Sequence, residues 1–341
     1  MALQSSGQIS YSNITDEFGS PGNGGLGAFR VTESVGNLSN LGLDNNQNNP
    51  PTSEMPQSGP ISFQDFYGKR LNVVVDHHSG STQYRLNAKD RYNSNNVRVI
   101  GGFKSRPSNT SGTQVIIHVN KTIGSEKSNV NHCALRTGTW DSNTQLQVDV
   151  GSSGKVLGAG GNGGNGSRED GGEGGTGTSG LGVQYSPTKL NVKSGGIVSA
   201  GWGGGGGGGG GHDHDKGSER HAGGGGGGGG AGFPTGTGGE GASGSEGANG
   251  GDGTAGNDTT AGEGGGGSNN ENEAYGGAGG EGGQNGEGAN EGGSGSGGEG
   301  STNSGGEPGG DGAAIRRTSG YTVNISNSGS IRGNTTSTGV G

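Results

Sequence analysis

Between residues 71 and 150 the apolar positions gather in short runs: "LNVVVD", "VRVIGGF", "TQVIIHV", "ALRTGTW" and "TQLQVDV". They are rich in β-branched residues or alternate apolar with polar, and Asn, Ser, Gly and Pro fill the gaps, which predicts strands joined by turns. The last run puts Leu146, Val148 and Val150 on one face. A small β domain is expected over 71–150. His77, His78, His118 and His132 fall in or beside these strands without a shared metal-ligand spacing, so they read as structural or surface residues.

Two repeats flank this region. "GQISYSNITDEFG" at Gly7–Gly19 returns in outline as "GPISFQDFYG" at Gly59–Gly68, and the stretch between them, "NLGLDNNQNNPPTSEMPQSGP", reads as loop or extended linker. Residues 1–70 are too few and too polar to fold well alone. They read as a docking segment that orders against a partner. The second repeat begins at Leu146, Leu190 and Tyr321: an alternating strand, a small-residue turn, a short apolar strand, then glycine. This predicts a β-hairpin at the head of a glycine run, with one hairpin at 184–200 and a C-terminal β cap over 313–341.

Glycine then takes over, and in phase. "GAGGNGGNG" from Gly158 and "GGEGGTG" from Gly171 keep two glycines in three, as does "GGAGGEGG" from Gly276; Gly238 to Gly256 keeps every third without a break; Gly203–Gly211 and Gly223–Gly230 are glycine throughout. Period three matches a polyproline-II helix. A row of bare glycine lets a neighbouring helix approach to backbone contact. One bare row predicts an edge helix, and uninterrupted glycine predicts a helix surrounded on every side, its N–H and C=O groups paired between helices. Glycine loses the most freedom on ordering, so only a complete bundle offsets the cost. The fold expected is all-β plus a glycine-rich polyproline-II (polyglycine-II) bundle over 151–312, with little or no α-helix.

Composition narrows the rest. Glycine supplies 92 of 341 residues, but there are only 9 prolines, too few for collagen. Net charge is −9, and residues 231–312 hold thirteen acidic residues with no lysine or arginine, which disfavours nucleic acid as a partner. The single Cys133 excludes an intrachain disulfide and reads as a small buried hydrophobe. "MALQSSGQIS" has no basic or apolar region of a signal peptide, and no run is long enough to span a membrane, so synthesis in a cytoplasm without membrane insertion is expected.

Polar breaks interrupt the glycine: "SRED" at Ser167–Asp170, "HDHDKGSERHA" at His212–Ala222, "FPTGT" at Phe233–Thr237 and "SNNENEAY" at Ser268–Tyr275. Both of the first two follow a rod that starts at a repeat, so they should emerge together at the far end. Loops on a rigid base are the usual arrangement for recognition. The strand–"SGGIV"–glycine pattern, the GGx rods and the polar loops resemble bacteriophage tail-fibre adhesins with a polyglycine-II sandwich. The "GxISFxDFYG" motif is similar to N-terminal segments of phage tail and fibre proteins, especially those of cyanophages. The resemblance implies a tail-fibre or tail-tip protein of the virion, made in a host cytoplasm, whose distal loops contact a receptor, protein or glycan, on the bacterial surface. It singles out Arg168, His212, Asp213, His214, Asp215, Lys216, Glu219, Arg220, His221 and Tyr275 for receptor binding. Residues 1–70 would dock to other tail or fibre proteins through Ile9, Tyr11, Ile14, Phe18, Ile61, Phe63, Phe66 and Tyr67. A homo-oligomer stays open.

No enzymatic constellation stands out: GxGxxG means nothing at this glycine content, "HDHD" lacks the helices of a phosphohydrolase, and no EF-hand spacing occurs. His212, His214 and His221 could gather a transition metal, since side chains two apart share a side; a solvated recognition loop is the preferred reading, and no metal or cofactor is assigned. Trp202 reads as a packing plug between hairpin and rods. Two rival functions remain: a structural tail component whose glycine region is only a spacer, and an ice-binding protein. The Glu, Asn, Ser and Ala at outward positions argue against ice.

Overall fold

A computed structural model describes residues 3–29, 59–76, 83–100, 103–127, 129–215, 218–270, 274–285, 287–296 and 301–341. They are mostly strand and extended chain, with one short helix, α1 (Tyr11–Phe18). None of their helices is long and apolar enough to cross a membrane.

The body begins with β1 (Asn72–Asp76), β2 (Gln83–Tyr84), β3 (Leu86–Asn87), β4 (Val97–Ile100), β5 (Gln114–Val119) and β6 (Thr122–Gly124). It continues with β7 (Cys133–Arg136), β8 (Gln145–Val150), β9 (Lys155–Leu157), β10 (Ser179–Val183), β11 (Thr188–Val192) and β12 (Ile197–Ser199). Short strands β13 (Gly211–Asp215), β14 (Ser218–Ala222), β15 (Asn269–Asn270), β16 (Ala274–Tyr275) and β17 (Ser301–Thr302) lie within the glycine region. The chain ends with β18 (Ile315–Arg317), β19 (Val323–Asn327), β20 (Ser330–Arg332) and β21 (Thr335–Thr336).

The body strands form three sheets, ordered β19-β11-β8-β5-β1-β4, β2-β6-β9-β12-β20 and β21-β18-β10-β7-β3. All pairings are parallel except β1 with β4. Consecutive strands such as β8, β9 and β10 fall in three different sheets. The chain therefore winds as a three-sided parallel solenoid. The hairpins read from the sequence do not exist. In the segment 184–200, β11 lies along β8 and β12 along β9, one circuit earlier, and β19 and β20 lie along β11 and β12 one circuit later. A strand–turn–strand pattern does not reveal whether its partner is the next strand or the next circuit. For the same reason strands of 71–150 share their sheets with strands beyond residue 150.

Register stacks like with like inside the solenoid. Val75, Ile117, Val148 and Leu190 align across the first sheet and are fully buried. Each such side chain contributes about 1.5–3 kcal/mol by leaving water. The alternation of "TQLQVDV" is met: Leu146, Val148 and Val150 all join the core. On the opposite face, buried Asp149 holds His118 Nδ1 and Lys193 Nζ at 3.4 Å each and accepts from Asn191 Nδ2 at 2.9 Å, a structural use of one of the histidines.

The N-terminal repeat encodes helix starts. Asn13 N donates to Ser10 Oγ and Ser10 N donates to Asn13 Oδ1, a reciprocal cap at the head of α1. Ser62 N and Ser62 Oγ both donate to Asp65 Oδ2 where a 3-10 turn opens at Phe63–Phe66. The shared serine and Asn/Asp of the repeat are thus capping residues. Both turns aim aromatics inward, where Phe18, Phe29 and Phe66 pack at centroid distances of 5.6–6.2 Å.

Candidate functional site

The glycine region consists of two excursions from one corner of the solenoid. Residues 158–178 leave after β9 and return at β10; residues 200–314 leave after β12 and return at β18. Ten glycine-rich rods result: I (158–166), II (171–178), III (201–211), IV (222–231), V (236–243), VI (248–256), VII (261–268), VIII (276–283), IX (288–296) and X (303–312). They alternate in direction and bond across their backbones.

The two uninterrupted glycine runs are interior rods. In rod III, Gly204 N donates to Gly175 O, Gly205 N to Gly228 O and Gly206 N to Asn290 O, and the same three neighbours recur at Gly207, Gly208 and Gly209. Its carbonyls accept from rods I, VIII and X, as in Gly164 N to Gly205 O, Gly280 N to Gly206 O and Gly306 N to Gly207 O. Rod III is therefore bonded on all sides, to rods I, II, IV, VIII, IX and X. Rod IV is bonded likewise to rods I, III, V, VI, VII and VIII. No Cβ fits here: one built on Gly206 would lie 1.8 Å from Gly306 O, and one on Gly227 2.1 Å from Gly205 O. Rod I, two glycines in three, keeps Asn162 and Asn165 at its third row, and their Oδ1 atoms accept from Thr237 N at 3.2 Å and Glu240 N at 3.0 Å in rod V.

One rod expected from the sequence is two. The every-third series Gly238–Gly256 folds back at 244–247, where Glu246 (φ 52°) and Gly247 (φ 86°) take left-handed conformations. Gly250 N then donates to Ala242 O and Gly253 N to Gly239 O. The turn keeps the glycine phase, so periodicity alone hides it.

The connections fall into two groups. At the solenoid corner, Phe233 stacks on Tyr84 at 5.7 Å and 4°, its carbonyl accepts from Ser125 N, and Lys155 Nζ meets Asp258 at 2.6 Å. Trp202 is nearly buried with Ala200 and Ala231, as a plug between strands and rods. The remaining loops meet at the opposite end. There β13 pairs with β14 and with β17, and the His212 and His221 rings stack at 4.3 Å. His221 N donates to Ser245 Oγ at 3.1 Å, Arg168 Nε to Ser243 O at 2.5 Å, and Asn303 Nδ2 to Arg168 O at 3.1 Å and Gly210 O at 2.7 Å. Tyr275 exchanges backbone hydrogen bonds with Ser296.

The structure thus brings Arg168, His212, Asp213, Arg220, His221 and Tyr275 to one end. Arg168 is exposed and Tyr275 is 48% exposed, with His212, Arg220 and His221 half-buried. Asp213 is buried and faces away from solvent, opposite Arg220 in the ladder, so it supports the hairpin rather than offering a contact. His214, Asp215 and Glu219 lie in the hairpin strands, and Lys216 lies outside the described residues. No group of three metal-ligating side chains gathers among the described residues. Sequence reasoning missed Ser243, Ser245 and Asn303; departures from glycine at 243, 245 and 303 were the only trace.

The eight N-terminal residues read as a docking face split. Ile9, Ile14, Phe18 and Phe66 are buried in the chain's own core, with Ile61 and Tyr67 packed against it. Tyr11 and Phe63 remain exposed at 37% and 40%. The segment orders against its own solenoid: buried Glu17 accepts from Leu71 N at 2.7 Å, and Phe18 O from Phe103 N.

The family model described as phage tail fibre adhesin Gp38 matches residues 82–336, which span the solenoid from β2 onward and the whole glycine bundle. The chain belongs to the phage tail fibre adhesin family. This makes the adhesin a component of the virion tail. Among solved structures it is similar to the crystal structure of the gp37-gp38 adhesin tip complex of the bacteriophage S16 long tail fiber, at 18% identity and a TM-score of 0.38, over 98% of this chain and 100% of that one. No curated protein matches the adhesin.

Proposed function

We propose that the adhesin recognises a bacterial surface receptor, protein or glycan, through the loops at the far end of its rods, and that the rods form a polyglycine-II bundle. One observation carries this reading: the described loop residues 167–170, 211–215, 218–222, 244–247, 268–270, 274–275, 296 and 301–302 converge on a lattice whose interior admits no side chain. Such a base fixes the loops and leaves their residues unconstrained by packing. Arg168, Arg220 and Tyr275 supply the cationic and aromatic contacts, types enriched where binding energy concentrates. Several adhesins on one particle would add avidity to weak individual contacts. The chain is carried by another tail-fibre protein, with Tyr11 and Phe63 as the exposed part of an N-terminal contact.

The combined variant Arg168→Ala, Arg220→Ala, Tyr275→Ala tests the receptor reading in phage adsorption to host cells. The expected result is at least a tenfold slower adsorption, with a melting temperature lowered by only a few degrees for the lost Arg168 Nε to Ser243 O bond. Unchanged adsorption would remove the loops from the function and favour a spacer.

A further inference from the structure

Two strands carry the chain back from the glycine rods into the solenoid: β10 follows rod II and β18 follows rod X. They are neighbours in the third sheet. Beyond β10, β18 pairs only with the two-residue β21 at the sheet edge. Residues 338–341 turn back across this sheet. Gly339 takes a φ of 95° and its N donates to Arg317 O in β18 at 3.3 Å. Val340 then reaches β10, where Gly182 stands in register between Arg136 of β7 and Arg316 of β18. A Cβ on Gly182 would lie 2.7 Å from Val340 Cγ1 and 2.9 Å from Cys133 Sγ. Glycine within a strand marks a close approach of other chain, and here it is the seat of Val340. Gly341 N donates to Asn131 O at 3.1 Å, just before β7.

Buried Arg316 ties the same pieces together. Its Nη1 donates to Thr338 Oγ1 at 2.6 Å and to Asn131 Oδ1 at 3.0 Å, and its Nε donates to Ser179 Oγ of β10 at 3.1 Å. Residues 338–341 are themselves half-buried or exposed, and their two backbone bonds lie at or beyond the long end of the usual range. Cys133, which meets Val340 over Gly182, is fully buried. A segment held by so few bonds opens at a lower free energy than the whole fold.

We propose that residues 338–341 are a clasp that fastens the return strands of the rods to the solenoid and opens as a unit of its own while the solenoid stays folded. Opening uncovers Cys133 and leaves β18 joined to the body through β10 alone. The thiol reports the clasp in the full-length protein, labelled with excess thiol reagent at pH 8 and followed by mass. Val340→Gly empties the seat, so labelling should run about tenfold faster than wild type, with a melting temperature within a few degrees of it. Hydrogen exchange should quicken at Ile315–Arg317 and stay unchanged at β5 and β8. Val340→Ile keeps a branched side chain and should label at the wild-type rate. Thr338→Val removes one acceptor of Arg316 and should move labelling and exchange the same way as Val340→Gly by a smaller factor, which keeps the test open if Val340→Gly does not fold. Wild-type labelling rates in both Val340→Gly and Thr338→Val overturn the proposal. So does faster labelling matched by equally faster exchange at β5 and β8, because the whole solenoid then loosens and no separate clasp exists.

Discussion

Gly206 sits mid-way along rod III, and replacing it with alanine probes the lattice directly. The added Cβ would lie 1.8 Å from Gly306 O, about 1.6 Å inside the 3.4 Å where ordinary contact begins. Rod III has no free side toward which to shift, so rod X must move. That movement strains Gly306 N to Gly207 O, Gly309 N to Gly204 O and Gly292 N to Gly306 O, now 2.8–2.9 Å. Each bond is worth about 1 kcal/mol net, and forcing atoms into a packed interior costs about 1–3 kcal/mol more. The expected loss is about 4–6 kcal/mol. A body of this size moves roughly 2–4 °C per kcal/mol, so melting should fall by about 10–20 °C. Gly266→Ala is the control: its Cβ meets nothing within 4 Å, and alanine restricts the unfolded chain, which stabilises by about 0.4–1 kcal/mol where the backbone conformation allows it. Differential scanning calorimetry on both variants separates the cases. If Gly206→Ala melts within about 2 °C of Gly266→Ala, the rods are not a close-packed lattice and the reasoning fails.

Two further outcomes follow from groups that titrate. Burial pushes the Cys133 thiol up to about 12, so it should resist a thiol reagent at pH 8 in the native protein and react fully in guanidinium, as a colorimetric thiol assay would show. The Asp311 carboxyl is exposed, yet the chain around it strips part of its water and raises it above its usual range, although Gly203 N donates to it at 2.9 Å. A raised acid favours the fold while protonated and loses that contribution as pH climbs through its folded value. Asp311→Asn should therefore melt higher than wild type at pH 7, with the advantage vanishing below about pH 4; an equal advantage at both pH values would contradict this assignment.

The glycine rods were the most legible part of the sequence, because the packing rule is written in which residues are missing. Gly203–Gly211 and Gly223–Gly230 have no side chain on any row, and they occupy the two fully enclosed positions. The turn at 244–247 was invisible since Gly247 satisfies both the turn and the period. The solenoid was half legible. Strand positions followed alternation, but Leu190 pairs with Val148 rather than with its own neighbour across "KSGG", and sequence distance says nothing about circuits. In the first 70 residues, Ile14, Phe18 and Phe66 looked like a face for a partner because the segment is polar around them, yet the chain's own solenoid buries them. At the tip, Tyr275 and the His212–Ala222 insert stood out as breaks in glycine, whereas Asn303, which ties rod III to the loop at Arg168, is one polar residue among many.

The direction of the hydrogen bonds has a mechanical meaning. The rods run from solenoid to tip, and their bonds lie across that axis. A pull on the far-end loops loads these bonds sideways, all along a rod at once, instead of opening them one by one from an end. Rod III cannot slide without breaking its bonds to every surrounding rod together. A bundle built this way yields in a single large step or not at all; under the receptor role proposed above, the weakest link under tension would then fall at the loops' contact rather than within the rods.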